Sequence, residues 1–164
     1  MRMKWLIISF IFLFGILGCK KDDDSDLEWY KQIAVAYVHS YGTSIGEAVL
    51  DMKDDSTKIN YIRRAIDPIR FYPDSSGYFY VYNFNCLNIA HATQKNLQGQ
   101  DLTNYTDSKG KYVIQELSAM AQSGGGYVEF YWIKPGETGE KKKLGYVEPI
   151  PNTNYFIGTG VYIE

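Results

Sequence analysis

The stretch that decides the fold is Gly77-Tyr78-Phe79-Tyr80-Val81-Tyr82-Asn83. It is rich in aromatic and β-branched residues, contains no proline and follows a turn-like segment at 73–76, so it predicts a β-strand. Side chains alternate between the two faces of a strand, which places Tyr78, Tyr80 and Tyr82 on one face. That face could line a pocket for a polar ligand, because each ring is an apolar wall that ends in a hydroxyl. Alternatively, the tyrosines are present only for their high β-propensity.

The rest of the chain predicts an α+β fold. A long helix is expected from Asp26 to Lys53, where apolar residues recur every three or four positions and Ser25 is placed as the cap. Further helices are predicted over 57–66 and 111–122, and further strands over 86–91, 127–134, 143–149 and 155–163. We therefore expect a long N-terminal helix packed on an antiparallel sheet of about five strands, with short flanking helices on one side.

Two pairs of glycines predict close contacts. Gly42 and Gly46 lie four residues apart in the predicted long helix, which would allow another backbone to approach it closely. Gly158 and Gly160 lie two residues apart in the last predicted strand, and so on one face of it. Because glycine has no side chain, this second pair predicts a hollow in the sheet.

Composition limits the possible functions. The chain has 164 residues, a formal net charge of −2 and interleaved acidic and basic residues, which fits one domain and gives no sign of a nucleic-acid partner. With two histidines and two cysteines, the sequence has no metal-ligand cluster with zinc-like spacing, no phosphate loop and no haem-attachment motif. We therefore expect no enzyme activity, no catalytic residues, no metal and no cofactor.

The N-terminus predicts export. Arg2 and Lys4 precede an apolar run over 5–17, and the run is too short for a membrane-spanning helix. Ile16-Leu17-Gly18-Cys19 resembles the lipobox of bacterial lipoproteins, in which the cysteine becomes the lipid-carrying N-terminus. The alternative is an ordinary signal peptide with an incidental cysteine. We expect a signal peptide over 1–18, lipidation at Cys19, an acidic tether over 19–25 and a folded domain over 26–164, anchored to the cell envelope at the outer membrane or the cell surface.

Three segments together resemble the single-Cache family of extracellular sensor domains, which have a PAS-like sheet behind a long N-terminal helix. They are Arg70-Phe71-Tyr72 with 77–82 and His91, then Gly99-Gln100-Asp101-Leu102 with Asp107 and Gly110-Lys111, and finally 126–135 with 143–147 and 157–162. The resemblance covers roughly residues 26–164. It implies a pocket on the sheet that binds a small molecule, often a short carboxylate.

A carboxylate pocket needs a fixed cation and hydrogen-bond donors. Arg70 can bind a carboxylate through two parallel hydrogen bonds. Lys143 matches the family's lysine before the fourth strand, and His91 matches a recurrent family histidine, although a turn residue bonded to backbone is an equal alternative. The ligand-binding residues that we predict are Arg70, Tyr80, Tyr82, His91, Tyr131, Lys143 and Tyr146. Trp132 is either a pocket wall or, as aromatic residues more commonly are, part of the core.

The resemblance also frames the partners. Family receptors continue into a membrane helix and a signalling domain, whereas this chain stops at Glu164 and has a predicted lipid anchor. We therefore expect a small organic ligand, the membrane through the lipid, and a signalling partner protein or a second copy of the chain. The competing hypothesis is an interaction or structural module that dimerises through the long helix, or docks on a membrane partner, and binds no ligand.

Overall fold

The computed structural model describes residues 23–163, so the predicted signal peptide and Cys19 lie outside the described residues. Three helices are α1 (Asp23–Val49), α2 (Asp55–Ile66) and α3 (Val113–Gln122), and a 3₁₀ turn spans Lys95–Leu97. Five strands are β1 (Tyr80–Asn83), β2 (Asn88–His91), β3 (Gly126–Ile133), β4 (Glu140–Pro149) and β5 (Tyr155–Tyr162). The order and type of the elements agree with the sequence-based prediction.

The five strands form one antiparallel sheet in the order β2-β1-β5-β4-β3. The C-terminal strand β5 lies at the centre, between the hairpin β1–β2 and the hairpin β3–β4. This arrangement confirms the predicted α+β fold, with a long N-terminal helix behind a PAS-like sheet. It also brings the tyrosine-rich strand β1 next to the glycine-containing strand β5.

Each face of the sheet carries its own hydrophobic core. On one face, α1 and α2 pack through residues such as Val38, Ile45 and Ile62 against Phe79 and Ile157. On the opposite face, α3 packs against the tyrosine side of β1, Phe130 of β3 and Phe156 of β5. Helices therefore cover both faces, whereas the sequence led us to expect them on one. The tyrosine face is an interior surface of the molecule.

The helix α1 differs at both ends from its predicted bounds. It begins at Asp23, so Ser25 lies inside the helix rather than at its cap, and the last residues of the predicted tether are helical. Acidic residues suit the first turn of a helix, which explains the earlier start. The helix ends at Val49 rather than Lys53. Its 27 residues give it a length of about 40 Å.

The glycines of α1 pack on the sheet of their own chain. A Cβ at Gly42 would lie 3.2 Å from Cγ2 of Ile157, and a Cβ at Gly46 would lie 2.7 Å from the carbonyl oxygen of Pro151. The predicted close approach of another backbone is therefore to Pro151 of the same chain. Because both glycines are buried in this contact, they do not form an open notch for a second copy.

Several strand boundaries were predicted wrongly. The strand β4 begins at Glu140 rather than at Lys143, because its pairing with β3 continues as far as Ile133. The strand β2 begins at Asn88, because Cys86 has a φ of 64° and belongs to the preceding turn. The strand β1 begins at Tyr80, while Gly77 makes an isolated antiparallel bridge with Phe71.

A bulge in β2 turns two polar side chains towards the tyrosine face. Tyr80 pairs with His91 and Tyr82 pairs with Asn88, which leaves Ile89 as the extra residue in β2. Directly paired residues of an antiparallel ladder point to the same face, so His91 and Asn88 both share the face of the tyrosines. The Nε of Arg63 donates to the carbonyl oxygen of Ile89 at 2.9 Å and so holds the bulge from α2.

The carboxylate of Asp107 fastens the loop before α3 to the sheet. It accepts hydrogen bonds from the backbone N–H groups of Lys109 at 2.9 Å, Lys111 at 3.0 Å and Tyr131 at 2.9 Å. Burial acts to raise the pKa of Asp107, but these three hydrogen bonds outweigh it and the pKa lies below its ordinary value. The carboxylate therefore fixes the start of α3, which covers the tyrosine face.

Candidate functional site

A small cavity lies between the tyrosine face of the sheet and α3. Its volume open to a water-sized sphere is about 10 Å³, which is room for roughly one water molecule. The residues that line it are Tyr78, Tyr80, Tyr82, His91, Val113, Ile114, Leu117, Phe130, Trp132 and Lys143. Among these side chains there is no aspartate or glutamate, so the cavity wall supplies donors and hydrocarbon but no negative charge.

The hollow predicted over Gly158 and Gly160 is filled by two of these side chains. A Cβ at Gly158 would lie 2.5 Å from Cε2 of Tyr80, and a Cβ at Gly160 would lie 3.0 Å from Cε of Lys143. Gly145 of β4 contributes in the same way, since a Cβ there would lie 3.0 Å from the Tyr80 hydroxyl. The glycines therefore let the Tyr80 ring and the Lys143 chain lie directly on the backbone of the sheet.

Lys143 is the unusual residue of the cavity. It pairs with Phe130 of β3 and Tyr162 of β5, and it is 0% exposed to solvent. Its Nζ lies 3.9 Å from the ring centroid of Tyr78, 4.8 Å from that of Tyr162 and 5.6 Å from that of Tyr80. Within residues 23–163, this Nζ has no hydrogen-bond partner.

The energetics favour a neutral amine in the ligand-free protein. A desolvated cation–π contact contributes roughly 0.5–2 kcal/mol. Removal of an ammonium group from water costs several kcal/mol for the ion, and full compensation requires an opposite charge with good geometry. The rings that surround Lys143 supply no such charge. Burial accordingly lowers the pKa of Lys143 well below its ordinary value.

His91 is held as a neutral imidazole beside Lys143. It is 1% exposed, and its Nδ1 accepts a hydrogen bond from the backbone N–H of Gln94 at 3.0 Å. The proton of the neutral ring therefore lies on Nε2. Burial lowers the pKa of His91 to about 3, and Lys143, Arg70 and Lys95 act in the same direction whenever they are protonated.

Gln94 also orients Trp132. Its Oε1 accepts a hydrogen bond from the indole Nε1 of Trp132 at 2.7 Å. The rings of His91 and Trp132 lie nearly parallel, with centroids 6.2 Å apart and an interplanar angle of 20°. One residue in the loop after β2 therefore positions two walls of the cavity through its backbone and its side chain.

The tyrosine hydroxyls are protonated donors tied to the protein. The Tyr80 hydroxyl donates to the carbonyl oxygen of Thr159 at 3.2 Å. The Tyr162 hydroxyl donates to the carbonyl oxygen of Ile133 at 2.7 Å, which leaves it as the acceptor for the Tyr78 hydroxyl at 3.2 Å. Burial raises the pKa of Tyr78 to about 12. At neutral pH these phenols can donate hydrogen bonds but carry no charge.

Four of the predicted ligand-binding residues line the cavity, namely Tyr80, Tyr82, His91 and Lys143. The other three, Arg70, Tyr131 and Tyr146, are not among its lining residues. Ligand contact by those three stays a prediction.

Arg70 instead holds backbone near the cavity. Its guanidinium donates to the carbonyl oxygens of Asp67 at 3.2 Å, Ile69 at 2.5 Å and Ala92 at 2.7 Å. Ala92 directly follows His91, so Arg70 anchors the end of β2 that carries the imidazole.

Tyr131 and Tyr146 lie on the opposite face of the sheet. Tyr146 donates its hydroxyl to Oε1 of Glu148 at 2.7 Å, and the Tyr131 ring lies under Nζ of Lys109 at 5.3 Å. Alternation along a strand already separates these residues from the cavity, because Lys143 and Tyr146 are three positions apart and Tyr131 is next to Trp132.

The lining residues outside our predicted ligand-binding set are Tyr78, Val113, Ile114, Leu117, Phe130 and Trp132, although Tyr78 and Trp132 were both considered as pocket walls. Tyr78 could have been predicted from the same alternation that selected Tyr80 and Tyr82. The α3 residues could not, because no pattern in the sequence indicates that α3 covers this face of the sheet.

Comparison with known proteins identifies the family. A family model described as a Cache domain matches residues 21–164. The chain belongs to the Cache domain family. This Cache domain is similar to the crystal structure of a methyl-accepting chemotaxis protein from Vibrio parahaemolyticus RIMD 2210633, with a TM-score of 0.74, 28% identity and coverage of 86% of this chain and 93% of that one.

A second solved structure addresses carboxylic acid recognition by a Cache chemosensory domain. It has a TM-score of 0.74 and covers 87% of this chain and 99% of that one at 23% identity, which shows a shared fold. The sensor histidine kinase MctS of Rhizobium johnstonii is 38% identical over 88 residues, or 54% of this chain and 19% of the kinase. The Cache domain thus spans about a fifth of the length of that curated relative.

These relatives place the chain among sensor domains of the kind found in chemotaxis receptors and sensor histidine kinases. Over residues 23–163, no helix combines the length and hydropathy needed to cross a bilayer. The same residues contain no group of three or more histidine, cysteine, aspartate or glutamate side chains placed to hold a metal ion.

Proposed function

We propose that this Cache domain is an extracytoplasmic sensor that binds a small carboxylate beside Lys143 and is held to the cell envelope by a lipid on Cys19. The observation that carries the ligand proposal is the amine of Lys143, which is fully buried and has no hydrogen-bond partner in the described chain. A buried group of this kind is costly unless something pairs with it. An anionic ligand would supply the missing partner.

The cavity wall is complementary to a carboxylate with a short apolar tail. The donors are Nζ of Lys143 and Nε2–H of His91, and the Tyr78 and Tyr80 hydroxyls can join them by giving up their present acceptors, Tyr162 and Thr159. The α3 side of the cavity consists of Val113, Ile114 and Leu117, which offer only hydrocarbon. The carboxylic acid recognition described for the Cache domain of similar fold supports this choice of ligand class.

The size of the cavity limits the ligand to a few heavy atoms. The cavity has room for roughly one water molecule, so acetate, propionate or pyruvate would enter only as the lining side chains move apart. A dicarboxylate or an amino acid would place a second charge against Val113, Ile114 or Leu117, where no side chain can pair with it. We therefore expect short monocarboxylates to bind, and succinate and alanine to be rejected.

Thermal unfolding with a ligand panel tests this proposal. Ligand at about 100 times its Kd stabilises the native state by about 2.7 kcal/mol, which raises Tm by roughly 5–10 °C for a chain of this size. Acetate, propionate or pyruvate should give such a shift, while succinate and alanine should not. The shift should disappear in Lys143→Met and persist in Lys142→Met. In the wild type, Nζ of Lys142 lies 3.0 Å from Oε1 of Glu129, outside the cavity. A flat panel together with a concentration-dependent dimer would instead favour the interaction module.

The lipid anchor has its own test. Ile16-Leu17-Gly18-Cys19 supports lipidation at Cys19. In cells fed a labelled fatty acid, the wild-type protein should carry the label and sediment with membranes. Cys19→Ala should carry no label and should appear in the soluble fraction. Label that persists in Cys19→Ala would exclude this anchor. If the anchor is present, a partner protein or a second copy that recognises the ligand-bound state would contact the domain at the cell envelope.

A further inference from the structure

We infer that the cavity takes up its ligand together with one proton from solution, and that Lys143 receives this proton as the carboxylate arrives. The inference rests on the proposed function and specifies the species that is bound. The overall change is the conversion of a neutral amine and a free carboxylate, plus one proton, into an ammonium–carboxylate pair. The amine lone pair forms the new N–H bond, and no other bond is formed or broken.

The geometry around Lys143 gives the neutral amine no counter-charge. The amine faces the rings of Tyr78 and Tyr80. Phe130 of β3 and Tyr162 of β5 lie beside it, and the aliphatic face of α3 lies across the cavity. The Tyr78 and Tyr162 hydroxyls are hydrogen-bonded to each other at 3.2 Å. None of these elements presents a carboxylate to the amine.

The charged groups outside this shell do not compensate. Arg70 and Lys95 act on the neighbouring His91, and both are cations. Glu137 acts on Tyr162, but it already pairs with Lys134 at 3.3 Å and with Lys141 at 3.7 Å. The nearby cations therefore oppose a positive charge on Lys143 until an anion enters the cavity. Burial lowers the pKa of Lys143 in agreement with this geometry.

The other titratable groups of the cavity are poorly placed to exchange the proton. The Nδ1 of His91 accepts the backbone N–H of Gln94, so protonation of this nitrogen would break a hydrogen bond. The Tyr78 hydroxyl keeps its proton, since burial raises its pKa to about 12. The proton that Lys143 gains must therefore come from the solvent or from the acid form of the ligand, and both routes give the same net uptake.

An entering carboxylate reverses the balance. An opposite charge within about 4 Å favours the charged form of an amine and raises its pKa. Between the lowered pKa of the free site and the raised pKa of the occupied site, each bound carboxylate takes up close to one proton. Over that range of pH, affinity should weaken by up to tenfold for each unit of pH increase.

Calorimetric titration of the full domain tests the inference. Acetate, propionate and pyruvate are titrated at pH 7.5 in phosphate and in Tris, whose ionisation enthalpies differ widely, and the tightest binder is then followed from pH 6.5 to 8.5. The expected result is a buffer-dependent enthalpy that corresponds to nearly one proton taken up per ligand, with weaker affinity at higher pH. The matching amide of the same acid carries no charge and should show no proton uptake.

Variants locate the proton. His91→Gln should weaken binding, because the ligand loses a hydrogen-bond donor, but each ligand that binds should still take up nearly one proton, because the imidazole is not the acceptor. Lys142→Met should behave as wild type. Lys143→Met should lose both the uptake and most of the affinity. If this variant does not fold, the wild-type buffer comparison decides by itself. Binding with the same enthalpy in both buffers would overturn the inference and leave the carboxylate site intact. Failure of all three acids to bind would overturn the proposed function as well.

Discussion

Replacement of Lys143 by methionine should stabilise the ligand-free protein, although it removes a cation from the proposed binding site. A buried, unpaired polar group costs about 1–3 kcal/mol. A lysine kept neutral at pH 7 costs a further 1.4 kcal/mol for each unit between pH 7 and its ordinary pKa of about 10.4, with an upper bound of about 4–5 kcal/mol. Methionine has similar length and packs well against aromatic rings. We expect Lys143→Met to be more stable by at least about 1 kcal/mol.

The pH dependence gives this prediction a second signature. The folded-state pKa of Lys143 is depressed by burial, so below about pH 10 the unfolded chain binds more protons than the folded chain. The stability of the wild type therefore rises with pH over this range. The advantage of Lys143→Met should shrink as pH rises from 7 towards 10, by up to about 1.4 kcal/mol for each unit of pH.

Urea unfolding at pH 7, 8 and 9 measures both effects. In a thermal melt at pH 7, the Tm of Lys143→Met should lie at least about 2–4 °C above that of the wild type. Lys142→Met is the matched control, because this adjacent lysine has a side chain that is 34% exposed and pairs with Glu129. A surface substitution of this kind should change stability by less than about 0.5 kcal/mol. A Lys143→Met variant less stable than wild type, beside an unchanged control, would refute the assignment of a neutral, costly amine.

Three further predictions concern the walls of the cavity. Because burial lowers the pKa of His91 to about 3, the stability that the neutral ring supports is present above pH 6.5 and is lost as pH falls. Urea unfolding should show a loss of about 3 kcal/mol in the free energy of unfolding by pH 4, and this loss should be absent in His91→Gln. Gly158→Ala should cost about 1–3 kcal/mol in urea unfolding, since the new methyl would lie 2.5 Å from the Tyr80 ring, and a change under 0.5 kcal/mol would contradict that contact. Asp107→Ala should cost about 2–4 kcal/mol, because it removes the shared acceptor of three part-buried hydrogen bonds, whereas the exposed turn carboxylate of Asp101 should tolerate alanine with a loss below about 1 kcal/mol.

The strand periodicity of the sequence was sufficient to predict the sheet and part of the site. Alternation placed Tyr80 and Tyr82 on one face of β1, and the structure puts both in the cavity wall. The same rule, applied to β4, would have separated Tyr146 from Lys143. Lys143 was predicted from its match to the family's lysine and Tyr146 from its hydroxyl, so the strand faces of the two residues were not compared.

Other features depend on contacts between distant parts of the chain. Arg70 has the chemistry of a carboxylate-binding residue, but the structure shows it bonded to three backbone carbonyl oxygens, which no local pattern reports. The bulge at Ile89 places His91 and Asn88 on the same face, although their spacing would put them on opposite faces of a regular strand. The glycines of β5 predicted a hollow correctly in kind, but its contents depend on the neighbouring strands.

The strand β5 separates two parts of the molecule by the thickness of one peptide backbone. On one side, the bare Cα of Gly158 meets the Tyr80 ring, and on the other side Ile157 reaches the bare Cα of Gly42 in α1. At each contact the glycine partner has no side chain, so only the other residue can absorb a small shift. A displacement of the Tyr80 ring from inside the cavity would therefore be transmitted through β5 to the long helix α1.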